Sequence, residues 1–420
     1  MKHLLMIAYY FPPLGGAGVQ RTAKFAKYLA RLGWRLEVVS VEPPSFELRD
    51  DSGLAEVSGE SIRIHRVKYR ESWRNLDRLP GGWRLRSWCQ DWFLFPDRMA
   101  GWLSPVLSAA TEICKANGDI VVYTTSAPYT AHLAGYHLKK RFKMPWIADF
   151  RDEWSQNPYF SFPARCRLFK HRRAERRVLN EADLVLTVTE KISTGLRELA
   201  PESRALFKVI PNGFDPDDFQ GLISEPNPHL TITHVGTLNQ ERGKLLQPLI
   251  QELGGLITSG QLPGGAVQLK LVGQGSCRDL NFPKGVLVET TPYVSHHEAL
   301  QIMSGSDLLI LAESNPAAFT GKIFEYLALK RPILGLVHPQ SPAASLILES
   351  GAGWVFGSGN DPDTHPIGDV SSILLQCYDA KKNDKACRHW KPDVIARYNR
   401  EKQAEQLEEL ILSIIKKGEG

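Results

Sequence analysis

The chain has 420 residues, with 51 Lys and Arg against 46 Asp and Glu, a net charge of +5, and 43% hydrophobic residues. At roughly 100–200 residues per domain this length predicts two domains, and the composition is that of a globular protein, which excludes a disordered or collagen-like chain. The six cysteines, Cys89, Cys114, Cys166, Cys277, Cys377 and Cys387, form no C-x-x-C pair, which argues against a zinc site or a disulfide framework and fits a reducing compartment.

Leu4–Ala8 reads as a buried strand. The basic Lys2-His3 ahead of it imitates a short signal peptide, but Tyr9-Tyr10-Phe11-Pro12-Pro13 follows where a small-residue cleavage site belongs. No apolar run approaches the ~20 residues of a transmembrane helix, so the expectation is a cytoplasmic protein with at most peripheral contact with the inner face of the membrane. The glycine loop Gly15-Gly16-Ala17-Gly18 comes next. Val19–Leu32 then reads as a helix with Val19, Ala23, Ala26, Leu29 and Ala30 on one face and Arg21, Lys24, Lys27 and Arg31 on the rest. Gly33 suits its C-terminal cap, and Leu36–Val41 is the next strand. A strand, a loop, a helix and a strand in this order open a parallel sheet.

The alternation continues with a strand at Asp119–Thr124, a helix at Ala131–Lys140, a strand at Trp146–Asp149, a basic helix at Ala164–Asn180 and a strand at Leu184–Val188. The segment 73–103 breaks it. Trp73, Trp83, Trp88, Trp92 and Trp102 alternate there with Arg74, Arg78, Arg84, Arg86 and Arg98. That pattern suits a membrane interface, a sugar face or an anionic head group, and equally an insertion packed on its domain. No nucleic-acid motif accompanies it. The chain turns near Pro211-Asn212-Gly213-Phe214-Asp215 and a second series begins: strands at Thr231–Val235, Val267–Val272, Leu308–Leu311 and Ile333–Leu336, with helices at Leu245–Leu253, His296–Ser304 and Lys322–Leu329. A long charged helix at about 394–415 closes the chain. Residues 1–200 carry a balance of +10 and residues 201–420 one of −5. A basic half faces anions, phosphates or a lipid surface, unless it is simply an unevenly charged soluble surface.

Four constellations carry chemistry. Gly15, Gly16 and Gly18 let backbone amides approach a phosphate at the mouth of a parallel sheet. Arg21 stands where a third small residue belongs, so the loop is not a dinucleotide fingerprint. Asp149-Phe150-Arg151-Asp152-Glu153-Trp154 follows a strand, where an α/β site sits. Asp152 there suits orienting an acceptor hydroxyl or taking its proton, and an ion-pair network with a helix cap is the alternative. Arg242 and Lys244 follow the first strand of the second half, where a guanidinium binds phosphate through its planar fork. In Phe319-Thr320-Gly321-Lys322-Ile323-Phe324-Glu325, a small-residue loop runs into a helix. Its amides and Lys322 suit a diphosphate. Glu325, one turn on, suits two ribose hydroxyls, because an ionised carboxylate only accepts. No Asp-x-Asp motif or His/Cys cluster signals a metal.

The stretches YYFPPLGGAGVQRTAKFAKYLARLGW, DFRDEW, ADLVLTVTEKIS, VIPNGFDPDDF, HVGTLNQERGK and FTGKIFEYLALKRPIL, in this order from residue 7 to about 336, resemble retaining glycosyltransferases of family four. The resemblance implies an α/β fold of GT-B type: two Rossmann-like domains facing a cleft, with a C-terminal helix crossing back to the first. The expected bounds are 1–212 for the acceptor-side domain, 213–390 for the nucleotide-sugar domain and 391–420 for the returning helix. By motif position it implies that Arg242 and Lys322 bind the diphosphate, with Thr320 and Gly321 beside them. Glu325 would then hold the ribose, Gly15 and Gly16 would lie near the transferred group, and Asp152 would take the first domain's catalytic position. It implies no metal and no cofactor besides the nucleotide-diphosphate sugar itself. Many members carry a second glutamate at the position of Ala317, and Glu313 is displaced from it by four residues. The implied partners are a nucleotide-sugar donor, a glycan or lipid-linked acceptor in cell-surface glycan synthesis, and an anionic membrane surface, with no nucleic acid. A nucleotide-sugar epimerase of the same architecture and a non-catalytic glycan- or lipid-binding protein on a transferase scaffold are the alternatives. The poor glycine fingerprint speaks against a nicotinamide dehydrogenase.

Overall fold

The computed structural model describes residues 2–418 apart from 45–47, 70–91, 158–161, 163, 224–226, 276–279, 315–318, 358–368 and 386. Most of the Trp/Arg segment and Ala317 therefore lie outside the described residues. The chain forms two units. Residues 1–212 with 400–420 make the first, and 213–399 the second.

The first unit runs β1 (His3–Ile7), α1 (Ala17–Arg31), β2 (Arg35–Val41), β3 (Ile62–Val67), α2 (Leu103–Ala116), β4 (Val121–Ser126), α3 (Thr130–Phe142), β5 (Trp146–Phe150), α4 (Arg165–Glu181), β6 (Leu184–Thr187), α5 (Glu190–Leu199) and β7 (Leu206–Val209). The strands pair in parallel in the order β3-β2-β1-β4-β5-β6-β7. β1, β4 and β5 are buried along their whole length, as strands of a parallel sheet covered on both faces are. Strand order reverses between β1 and β4, the place where open parallel sheets bind ligands.

α1 departs from the expected amphipathic helix. Arg21, Lys24 and Lys27 are buried with the apolar residues, because the turn Ala55–Val57 and the C-terminal helix pack over that face. Lys24 Nζ lies 2.6 Å and Lys27 Nζ 3.5 Å from the Glu56 carboxylate. Gly33, at φ 84°, ends the helix in the left-handed region, as its position predicts.

The second unit runs β8 (Leu230–Val235), α6 (Gln240–Thr258), β9 (Val267–Val272), β10 (Val286–Thr291), α7 (His296–Ser304), β11 (Leu308–Glu313), α8 (Lys322–Ala328), β12 (Ile333–Val337), α9 (Pro342–Glu349), β13 (Gly353–Gly357), α10 (Val370–Lys382) and α11 (Pro392–Ala396). Its parallel sheet has the order β10-β9-β8-β11-β12-β13 and reverses between β8 and β11.

The end of the chain differs from one helix over 391–420. Val394 and Ile395 of α11 bury into the core of the second unit, and the chain turns at Tyr398-Asn399, where Phe214 N donates to Tyr398 O at 2.9 Å. α12 (Arg400–Gly418) then belongs to the first unit. There Ala404, Leu407, Ile411 and Ile414 enter the core, and Glu408 Oε1 accepts from Lys2 Nζ at 2.6 Å and Trp34 Nε1 at 2.8 Å.

Candidate functional site

In the second unit, the loops after β8 and β9 continue side by side beyond the sheet, with Gly236 N donating to Val272 O and Leu238 N to Gln274 O, each at 2.7 Å. The approach needs glycine. Gly236, Gly273 and Gly275 hold φ near 143°, 134° and 130°, and a Cβ on Gly273 or Gly275 would collide with the backbone of Gly236 or Leu238. These residues, with His234, Thr290 and Thr291, line a cavity of about 250 Å³ at the carboxyl ends of β8, β9 and β10.

Arg242 enters at the start of α6. Asn239 caps that helix by accepting from Arg242 N at 2.9 Å, which fixes where the side chain departs. The guanidinium then donates to Thr237 O at 2.9 Å and pairs with Glu313 Oε2 at 3.0 Å. This ion pair bridges the ends of β8 and β11 across the reversal point. Arg242 is thus a half-engaged cation, and Glu313 is its partner.

Lys322 comes from the other side, as the first residue of α8. Its Nζ lies against Gly236, where any Cβ would overlap it. Burial and the neighbouring Arg242 charge lower the ammonium to about 8, against the pull of Glu325 and Glu313. Among the described residues nothing accepts a hydrogen bond from Lys322 Nζ. Beneath it His234 is fully buried. Its Nδ1 meets Ile310 O at 3.2 Å, and its Nε2 has no partner among the described residues. Burial, then the Lys322 charge, depresses the imidazole to about 3, so it is neutral and leaves the lysine's charge uncontested. Glu325 lies one turn along α8, and its Oε1 accepts from His296 Nε2 at 2.9 Å. Nothing local in the sequence around His296 signals this contact, because Glu325 lies 29 residues away on another helix.

Thr320 and Gly321 directly precede Lys322 and are half-buried. α8 has seven residues, so the expected contribution of its amides is small, and the side chains carry the positive charge. Lys244, offered beside Arg242, is exposed on α6.

In the first unit the glycine loop and the 149–154 segment are neighbours: Arg151 Nη1 donates to Gly18 O at 2.5 Å. Gly16, at φ 91°, caps α1 with open space beside it. Gly15 is closed over by Leu48 and Asp50, with its N donating to Leu48 O at 2.8 Å. Asp149 is structural. Arg21 grips it with Nε at 2.9 Å and Nη2 at 2.8 Å, while Tyr123 and Thr125 donate at 2.6 and 3.1 Å. Burial opposes the Asp149 charge, yet Arg21 and these donors hold the carboxyl below its ordinary value. Arg21 also donates to Ile210 O and Pro211 O, which is why an arginine occupies the position of the third small residue. Asp152 reaches solvent, and the surrounding protein desolvates it enough to raise its carboxyl against the pull of Arg151. Trp154 stacks on Tyr129 at 4.9 Å and donates to His171 Nδ1 at 3.0 Å, which fixes the loop that carries Asp152.

On α4, Arg165, Lys170, Arg172, Arg173 and Arg177 are exposed beside Phe169, which is 65% exposed. Arg167 does not join them. It is buried, donates to Leu94 O at 2.7 Å and lies over Phe95. The cysteines are less scattered in space than in sequence, since Cys377 and Cys387 Sγ lie 3.5 Å apart as free thiols. Among the described residues no helix is long and apolar enough to cross a membrane.

Residues 15–213 match the family described as "Glycosyl transferase 4-like domain". No curated protein matches the chain. Among solved structures it is similar to Anabaena HepE in complex with UDP and glucose, at 17% identity and a TM-score of 0.64, over 98% of this chain and 100% of that one. It is similar to a glycosyltransferase from Rickettsia africae, at 17% identity and a TM-score of 0.62, over 99% and 98% of the two chains. The third is WaaG, a glycosyltransferase involved in lipopolysaccharide biosynthesis, at 14% identity and a TM-score of 0.55, over 96% and 94%. At these identities the likeness establishes the fold.

Proposed function

We propose that this glycosyltransferase, a GT-B protein with a glycosyl transferase 4-like domain over residues 15–213, moves a hexose-type sugar from a nucleoside diphosphate to a glycan or lipid-linked acceptor with retention of configuration. The observation that carries the reading is Lys322. A half-buried ammonium with no hydrogen-bond acceptor among the described residues, seated on a glycine beside a second cation, is costly unless an anion completes it. A diphosphate is that anion. Arg242 and Lys322 together neutralise the charge that develops on the leaving diphosphate as the sugar–phosphate bond breaks. Glu325 accepts from the ribose. Thr320 and Gly321 lie beside the phosphates, and the glycine-lined cavity next to Gly236 offers room for the nucleoside. HepE binds UDP and glucose, which supports a nucleotide-sugar donor here. In the first unit, Asp152 is the group for the acceptor hydroxyl, and its raised carboxyl suits proton transfer.

Nucleoside diphosphate release from a panel of UDP-, GDP- and ADP-sugars, with and without acceptor, tests the reaction. Lys322→Ala and Glu325→Ala should each lose ~10²–10³ in rate, the equivalent of ~2.7–4 kcal/mol of transition-state stabilisation, with the fold retained. Near wild-type rates in both would refute the site. With two cations supplying the positive charge, activity should survive excess chelator. A strict requirement for Mg²⁺ or Mn²⁺ would refute a metal-free reaction.

The exposed basic face of α4 with Phe169 supports peripheral attachment to anionic lipid. Each basic residue near such a surface contributes about 1 kcal/mol, and salt screens it. Arg172→Glu with Arg173→Glu should abolish low-salt sedimentation with anionic vesicles. Unchanged sedimentation removes α4 from that role.

A further inference from the structure

We infer that His296 is a positioning residue of the donor site, setting the orientation in which Glu325 meets a nucleoside ribose; this rests on the donor reading above. Glu325 is half-buried on a short helix, and three side-chain bonds set the orientation of its carboxylate. Among the described residues one hydrogen bond fixes it: His296 Nε2 to Glu325 Oε1 at 2.9 Å. The imidazole is itself held. His296 is the first residue of α7, whose start is closed by reciprocal hydrogen bonds between Ser295 and Glu298: Glu298 N donates to Ser295 Oγ at 3.3 Å, and Ser295 N to Glu298 Oε2 at 2.9 Å. Its other nitrogen faces Asp218 Oδ2 at 4.0 Å, in the short turn Pro216–Phe219 that Asp215 caps from Asp217 N at 3.0 Å.

The stoichiometry of the carboxylate gives this bond its meaning. An ionised glutamate offers about four lone-pair positions and no donor. His296 occupies one on Oε1, which turns Oε2 and the remaining Oε1 position toward a vicinal pair of hydroxyls. Without the imidazole the carboxylate must be ordered by the ligand itself, at the ligand's expense in affinity. A merely structural ion pair between α7 and α8 has the same distances but a different consequence: its loss would weaken every ligand of the unit alike.

The test measures binding of UDP, GDP and ADP, and of their 2′-deoxy and 3′-deoxy forms, by titration calorimetry on the full chain. Wild type should prefer the ribonucleotide by about tenfold or more, the value of a hydrogen bond to a charged acceptor. Glu325→Gln should remove most of that preference. His296→Ala should remove it as well, and His296→Ala with Glu325→Gln should bind no more weakly than Glu325→Gln alone. His296→Gln, whose amide still donates, should keep most of the preference, and it carries the test if the alanine variant does not fold. In turnover, His296→Ala should raise donor KM more than it lowers kcat. A full ribose preference in His296→Ala, or an equal loss for ribo and deoxy ligands, overturns the role of His296 while leaving Glu325 in place. A wild type that binds none of the three, or a Glu325→Gln variant that keeps the preference, overturns the donor reading and this inference with it.

Discussion

The charge of Lys322 is set by its surroundings, so it responds to pH in a range where an ordinary lysine does not. With the ammonium lowered to about 8, donor affinity should fall as pH rises through 8. A bound diphosphate raises that value again, so donor KM should climb before kcat declines. Lys322→Arg keeps its charge and should flatten this alkaline limb, which a pH–rate profile from 6 to 10 reads directly. Without ligand the sign reverses, because the folded value lies below the unfolded one and the charged lysine costs stability below about 8, a cost relieved between about 8 and 10.5. Glu175 makes stability depend on pH independently of Lys322. It is buried on α4, and although Ser155 N donates to its Oε2 at 3.1 Å, burial pushes the carboxyl up to about 7. The stability linked to its proton is complete below about 4.5 and lost as pH rises to about 7. Glu175→Gln should therefore be close to neutral at pH 4.5 and stabilising by ~1–3 kcal/mol at pH 8, measured by urea denaturation at the two pH values.

Between elements, the pair Arg21–Asp149 ties α1 to the end of β5 and to the chain leaving β7. Breaking a buried pair strands one charge, at ~3–5 kcal/mol, whereas replacing both partners by apolar groups of similar volume costs far less. Arg21→Met and Asp149→Leu should each destabilise the first unit by that amount, and the double variant by clearly less than the sum. Chemical denaturation of the four proteins measures it, and additive losses would show that the two side chains act separately. Most elements were legible as apolar runs bounded by turns: β1, β8, β9 and α7 fall within a residue of their expected positions. Helix α1 was legible in place but not in its faces, because nothing local in Arg21, Lys24 and Lys27 reveals that another helix will cover them. Of the proposed site, the helix that carries Lys322 and Glu325 and their spacing on it were readable from the sequence. The contacts of Glu313 and His296 were not, since their partners Arg242 and Glu325 come from other helices.

At the scale of the molecule, the first unit is discontinuous, because its last helix arrives after the whole second unit has been built. α12 buries Ala404, Leu407 and Ile411 completely. At ~1.5–3 kcal/mol for each large apolar side chain, this is a large share of the ~5–15 kcal/mol that holds a domain. Ending the chain at Asn399 should therefore melt the first unit at a lower temperature and leave the transition of the second in place, a difference that calorimetry with limited proteolysis resolves. Two unchanged transitions would mean that α12 is a passive appendage.

Periodicity and turn chemistry are local properties, so the sequence by itself determined the two α/β series, the turn near residue 212 and the helix that carries Lys322 and Glu325. Burial and charge compensation are not local. Only the tertiary structure decided that Glu313 engages one side of the Arg242 guanidinium while Lys322 has no acceptor among the described residues, that Arg167 points inward while its neighbours face out, and that residues 391–399 stay with the second unit. Each of these depends on which groups the sheet order brings within a few ångströms of one another, and at that distance in a desolvated setting a single partner decides whether a charge is structural or waiting for a ligand.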